Sequence, residues 1–389
     1  MSAMKRGGVF LTDGYWPKTL AAVRSLGEAG MRVVVGSDTW FSPALYSRHA
    51  HRRLRYPSFR RDPEGFLKSL QQAIRRHGCD VLLPMEESTL LFVLRHRSEF
   101  ESFCRIPFAS AEVVERAGNK REMLDLASRI GIPVPRSVVV RKAGDLPAAA
   151  QAIGFPAVLK PTIGSGAYGL RYVADLEGLR ASYEDVRRRC SEFLLQERLP
   201  QHGQAIGVSL LLDENGRLLA RFTHRRLREY PITGGASTLR ESIRFPLLEE
   251  RALALLRALH WGGVAMVEFK QDVRDGEYKL MEVNPRFWGS LALAIRSGVN
   301  FPFLLANRAL GKEQSPVVDY RVGVRSRWLP GDLLHHAARL FGGEAPPPTE
   351  GRRAHEEIVA GGDPVPALVQ AASLVPLFAN REYRHYLRR

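Results

Sequence analysis

The sequence predicts a mixed α/β and α+β protein in three parts. A Rossmann-like parallel α/β region comes first, a larger α+β region follows, and a helical extension closes the chain. Three observations carry this. The N-terminal third alternates short apolar strands with amphipathic helices, the pattern of βαβ units. The middle holds strand pairs joined by Asp213-Glu-Asn-Gly216 and by Asp275-Gly276, both hairpin signals. Beyond about Gln314, Arg321–Trp328 reads as a further strand and Leu329–Phe341 and Pro366–Tyr386 as helices, and the chain ends in the basic run Arg381–Arg389.

Composition bounds the class. The 389 residues are enough for roughly two or three domains. With 45% apolar and 25% charged residues, the chain resembles an ordinary globular protein. Cys79, Cys104 and Cys190 follow no metal or redox spacing and read as buried thiols of a reducing compartment. The apolar run after the basic start is broken by Asp13-Gly14 and Pro17, unlike a signal peptide. No stretch reaches the ~20 apolar residues of a membrane span, so a cytoplasmic location is expected. The formal charge of +16 is spread along the chain without an aromatic-interleaved basic motif, which argues against a nucleic-acid binder.

Gly8–Thr12 and Met31–Gly36 are strands around a helix that runs to Leu26, and Asp80–Pro84 is a further strand. No Gly-x-Gly-x-x-Gly follows the first strand, so dinucleotide binding is not expected. Ligands of open α/β sheets sit beyond the carboxyl ends of strands, where Asp13 and Glu87 fall. Asp13 is expected to cap the following helix. Glu87 reads equally as a cap and as a substrate contact.

Asn119-Lys120 precedes the helix Arg121–Ile130 and the turn Gly131-Ile-Pro-Val-Pro135. Phe155-Pro-Ala-Val-Leu-Lys-Pro161 is a strand ending at Lys160, and Ile163-Gly-Ser-Gly-Ala-Tyr-Gly169 follows. Gly164, Gly166 and Gly169, with Ser165 between them, let backbone N–H groups approach phosphate oxygens, and Lys160 adds a compact positive charge. The lysine precedes the glycines, so this is not a Walker loop. The strand Phe193–Leu199 is next, then the strand Ala205–Leu212. A basic cluster around Arg226 stands before Thr233-Gly-Gly-Ala-Ser237. It suits an anionic substrate or phosphorylated intermediate, with Arg226, Gly235 and Ser237 as candidate contacts.

The stretch Gly263–Lys270, Asp275-Gly276, Tyr278–Arg286 reads as two strands and a turn. A turn centred on Asp275 sets Glu268 opposite Glu282, and strand alternation puts Asn284 on the same face. Two carboxylates brought together repel unless a cation lies between them, and hard oxygen ligands suit Mg²⁺ or Mn²⁺. Arg286 adds a planar cation beside them.

This hairpin resembles that of the ATP-grasp superfamily, and the order of the elements before it strengthens the likeness. From about Gly7 to Lys312 the chain resembles ATP-grasp ligases related to carbamoyl-phosphate synthetase and D-alanine–D-alanine ligase. The resemblance implies a two-lobed ATP-grasp fold over 113–313, with a small lobe at about 119–198 and a large lobe at about 199–313. Residues 1–112 precede it and 314–389 extend it. It implies ATP and probable-pair magnesium chemistry, with two ions on Glu268, Glu282 and Asn284. Lys120 and Lys160 would contact the nucleotide phosphates. Gln196, Glu197 and Leu199 would form the adenine hinge, with Glu197 receiving the amino group. Gln204 stands where the family places an acid on the ribose. Arg286 would stabilise the transferred phosphoryl group. The implied activity is a carboxylate–amine ligase working through an acyl phosphate on small-molecule or peptide substrates. Bicarbonate phosphorylation and nucleotide binding without turnover are the alternatives. A homodimer is compatible with the sequence, and so is contact of the basic tail with a membrane, although a cover over the ATP domain is the more usual role of such a helix.

Overall fold

A computed structural model describes residues 7–164, 169–188, 190–232, 234–341 and 353–379. The first sheet contains β1 (Gly8–Leu11), β2 (Arg32–Ser37), β3 (Arg52–Arg55) and β4 (Val81–Leu83). They pair in parallel in the order β3-β2-β1-β4. The central β1 is buried along its length, as apolar strands covered on both faces are. The helix Pro63–His77 shows how local chemistry sets the elements here. Asp62 caps its start by accepting from the Gly65 N–H, Pro63 fits its first turn, and Gly78 ends it in the left-handed conformation.

The second sheet contains β5 (Ser137–Val140), β6 (Ala157–Pro161), β7 (Arg171–Val173) and β8 (Phe193–Glu197), antiparallel in the order β5-β8-β6-β7. It has its own core, in which Leu159, Leu179, Phe193 and Leu195 meet the helices Leu146–Ile153 and Leu176–Val186. Alternation puts Lys160 and Gln196 on the opposite face of the sheet from Leu159 and Leu195.

The third sheet has seven strands: β9 (Ala205–Leu212), β10 (Leu218–Tyr230), β11 (Ala236–Ile243), β12 (Gly263–Gln271), β13 (Tyr278–Asn284), β14 (Arg325–Arg327) and β15 (His355–Glu356). Their order is β13-β12-β9-β10-β11-β14-β15. In the β12–β13 hairpin Glu268 pairs with Glu282, as the turn chemistry predicts, and the register shifts by one residue immediately after Glu268. This shift is a bulge that no sequence signal announced. Beneath the sheet, Trp261, Trp288, Phe269 and Phe287 join a core shared with the first sheet.

The C-terminal extension is not helical throughout. Besides the helices Leu329–Phe341 and Val365–Ala379 it holds β14, within the expected strand Arg321–Trp328, and β15, which was not expected, and both join the third sheet. The latter packs on the turn Pro43–Tyr46 beside the first sheet, and not over the ATP domain. The Pro-rich segment 345–351 and the basic run 381–389 lie outside the described residues.

Candidate active site

The hairpin register brings Glu268, Glu282 and Asn284 together. The Asn284 amide nitrogen donates to Glu268 Oε1 at 3.1 Å and to Glu282 Oε1 at 3.5 Å. A half-turn of the amide presents its oxygen to the same place, since the two amide ends are nearly isosteric. Arg226, from β10, reaches across β9 and pairs with Glu268 Oε2. Burial pushes the Glu268 carboxyl up; Arg226 offsets this, and the charge of Glu282 adds to it. Among the described residues no three His, Cys, Asp or Glu side chains are grouped so as to hold a metal ion. Two carboxylates and an amide meet here. That set leaves coordination positions for phosphate oxygens and water, the usual manner in which Mg²⁺ is held.

Two lysines face this triad. Lys120 opens the helix Lys120–Arg129, where Asn119 caps by accepting from the Arg121 and Glu122 N–H groups. Lys120 Nζ stands 3.7 Å from Glu282 and also donates to the Gly164 carbonyl. Lys160 is buried and donates to Gln196 Oε1 at 2.8 Å. Burial, and then the charge of Lys120, pushes the Lys160 ammonium down to about 7, with Glu282 acting the other way. Gly164 and Gly169 hold φ of 126° and 81°, which side chains rarely adopt. Ser165 and Gly166 lie outside the described residues.

A third group lies at the carboxyl ends of the first sheet. Asp13 does not cap the helix, which starts at Pro17 with Trp16 before it. It adopts φ of 58° and is wholly occupied with its neighbours. Its carboxylate accepts from Thr12, from Thr89 Oγ1 at 2.8 Å and from the N–H groups of Met85 and Glu86 at 3.3 and 3.0 Å. Asp13 thereby fixes the turn that carries Glu86 and Glu87. Glu86 pairs with buried Lys18 at 2.5 Å, and Lys18 donates to the Phe287 carbonyl at 3.2 Å. Burial, and then Arg286, pushes the Lys18 ammonium down to about 8. Glu87 lies 3.9 Å from Arg286 Nε; burial raises its carboxyl, and Arg286 and Lys120 partly offset that. The N-terminal sheet therefore meets the hairpin triad through Glu87–Arg286 and Lys18–Phe287.

Residues 119–313 match the family described as the carbamoyl-phosphate synthase L chain, ATP binding domain. The chain belongs to that family, which is of the ATP-grasp superfamily. The carbamoyl phosphate synthase large chain of Methanospirillum hungatei is 31% identical over 253 residues, covering 58% of this chain and 23% of that protein. Biotin carboxylase 2 of Bacillus subtilis is 26% identical over 212 residues, covering 50% and 47%. This chain thus spans less than half of either relative's length. Among solved structures, biotin carboxylase with β,γ-ATP from Campylobacter jejuni aligns with a TM-score of 0.68 at 17% identity, covering 84% of this chain and 75% of that one. The L-amino acid ligase from Bacillus licheniformis aligns with a TM-score of 0.59 at 16% identity, covering 79% and 75%. These likenesses show a shared fold.

The remaining expected contacts of the ATP-grasp domain are placed as follows. The Glu197 carboxylate is already taken by the Arg136 N–H at 2.9 Å, Arg274 at 2.9 Å and Lys279 at 3.5 Å. Burial works against its charge, but these donors outweigh it and hold the carboxyl below its ordinary range. Gln196, one residue earlier and on the other face, is the hinge side chain that touches Lys160; it also donates to Ser137 Oγ at 2.8 Å. Leu199 is buried, and Gln204 accepts from the Tyr278 hydroxyl at 3.4 Å. The Gly235 carbonyl accepts from Arg226 at 3.3 Å, while the Ser237 hydroxyl turns inward to the Leu239 carbonyl. His224 was not foreseen. It is buried beneath Arg226, bonded to Ser290 Oγ at 3.1 Å, and pushed down to about 3 by burial and then by Arg240 and Arg226. It fits there because Gly207, its partner across β9 and β10, has no side chain. Lys18 was also missed, although its place just past the end of β1 was a signal.

Proposed function

We propose that this ATP-grasp protein is an ATP-dependent ligase that joins a carboxylate to an amine. The substrate carboxylate oxygen attacks the γ-phosphorus of ATP and ADP leaves. The amine then attacks the acyl-phosphate carbon, and phosphate leaves with the C–O bond. The observation that carries this reading is the junction of Glu268, Glu282 and Asn284 with Lys120, Arg226 and Arg286. Mg²⁺ or Mn²⁺ held there, as two ions, would neutralise charge on the β- and γ-phosphates. Lys120 and Lys160 bind phosphate oxygens. Arg286 neutralises the transferred group, and Arg226 keeps Glu268 ionised and aimed. Gln196, Leu199 and Gln204 border the adenosine, with Glu197 bracing the hinge strand from its other face. Glu87, Gly235 and Ser237 border the substrates, which are small molecules or peptides. Such a mechanism needs positioning and charge neutralisation but no protein nucleophile.

The reading assigns residues 1–112 to a substrate-side domain, 113–313 to the ATP-grasp domain and 314–389 to an extension. Its test is an ADP-release screen of the purified chain with amino acids, peptides and other carboxylates, each with and without an amine. Mass spectrometry then identifies the product. ADP release that needs both substrates, with an amide product, is the expected result. The likeness to carbamoyl phosphate synthase favours a second reading, in which bicarbonate accepts the phosphoryl group. Turnover on bicarbonate alone, with no response to organic carboxylates, would select it.

A further inference from the structure

The helix Val365–Ala379 is turned inside out over residues 365–373. There the buried positions are Pro366, Gln370 and Ser373, and the exposed ones include Val365 and Leu368, the latter 70% exposed. The polar pair is satisfied inward: Gln370 Nε2 donates to Ser373 Oγ at 3.1 Å, and Ser373 also bonds Tyr15. No charged residue occurs between Pro364 and Ala379. A helix on a water-facing surface normally shows the reverse arrangement.

The surroundings extend this apolar face. Trp40 and Phe41, which directly precede the turn on which the helix packs, are 46% and 55% exposed. Trp16, stacked edge-on to Tyr15 at 5.6 Å, is 44% exposed. Exposed arginines adjoin them: Arg48, and Arg52, Arg53 and Arg55 on β3, which packs on the same turn. Two of these are tied to the helix or to its turn. Arg48 donates to the Gly362 carbonyl at 2.9 Å, and Arg53 lies 4.7 Å over the ring of Tyr46 in the same turn. Arginines on β3 also discourage pairing at that sheet edge. This accounts for the β3 arginines, but neither for Arg48 nor for the outward apolar side chains.

We propose that the outer face of residues 365–373, with the neighbouring aromatic and arginine side chains, docks on the surface of an anionic lipid bilayer. Apolar side chains with tryptophans at the rim suit the acyl–headgroup boundary, and arginines suit anionic headgroups. Among the described residues no helix is long and apolar enough to cross a membrane, so the contact is peripheral. A second copy of the chain is a poorer occupant, because pairing this face with itself would oppose two sets of arginines.

The test is co-sedimentation of the full chain with vesicles of phosphatidylcholine alone and with an equal part of phosphatidylglycerol. Binding to the anionic vesicles only, weakening as salt rises, is expected. Leu368→Asp lowers partitioning about tenfold, and Arg52→Ser with Arg53→Ser lowers it about fivefold per arginine. Circular dichroism checks that the variants are folded, and the arginine pair, being exposed, keeps the test open if Leu368→Asp unfolds. Equal binding to neutral vesicles, or unchanged partitioning of both folded variants, would overturn the proposal. So would a concentration-dependent dimer that Leu368→Asp abolishes, which would assign the face to a second copy.

Discussion

Glu268 and Glu282 stand directly opposite each other on β12 and β13, and the Asn284 amide touches both carboxylates. Placing two acids at one spot in a partly buried hairpin costs stability unless cations balance them. Arg226 and Lys120 supply part of that balance. Glu282→Ala removes one carboxylate and should abolish ATP turnover, by at least about a hundredfold, with the fold intact. It should also remove the extra thermal stabilisation that Mg²⁺ confers in the presence of ADP, measured by differential scanning fluorimetry. Parent-rate turnover by the variant would refute the metal assignment.

Arg226→Met strips Glu268 of its partner while keeping much of the side-chain volume. The protein without ligand should lose about 2 kcal/mol of stability, because a partly buried carboxylate is left unpaired. Added Mg²⁺ should restore part of the loss. Urea unfolding with and without the ion measures both effects.

Lys160→Ala should weaken ADP binding about tenfold or more in a calorimetric titration. The free lysine is held at about 7, and a bound phosphate favours its charged form. Nucleotide affinity should therefore fall as pH rises past about 7, towards the raised value of the complex. Binding at about pH 8 should take up close to one proton, seen by titrating in buffers of different ionisation enthalpy. The Lys160→Ala variant should lose that uptake.

Asp13→Ala should cost about 3 kcal/mol, since it removes the acceptor for two side chains and two backbone N–H groups and leaves Ala at a positive φ. Asp13→Asn should cost less, because Asn tolerates that conformation and keeps one acceptor oxygen. Thermal melts of the two variants decide this.

The hairpin was legible because turn chemistry fixes register, and register fixes which side chains meet. Lys160 and the glycines were singled out by local spacing, and Lys120 by the family resemblance. What was hidden depends on partners far along the chain. Asp13 looked like a cap because Thr89 and the Glu86 N–H, which claim it, lie on another strand end. Glu197 looked free because Arg274 and Lys279 come to it from the hairpin tip. β14 lies inside Arg321–Trp328, where the sequence reads a strand, but β15 is two residues long, too short for any periodicity. The bulge after Glu268 lengthens one strand without a glycine to mark it.

The ion cluster around Glu197 bears on how the nucleotide enters. Asp272, Arg274 and Lys279 tie the end of β8 to the hairpin tip, and Arg136 tethers the start of β5 to the same carboxylate. The second sheet is thus bolted along one margin, while β7 forms its other border. If the proposed nucleotide site opens by movement of the second sheet, that movement would have to break these ion pairs or turn about them.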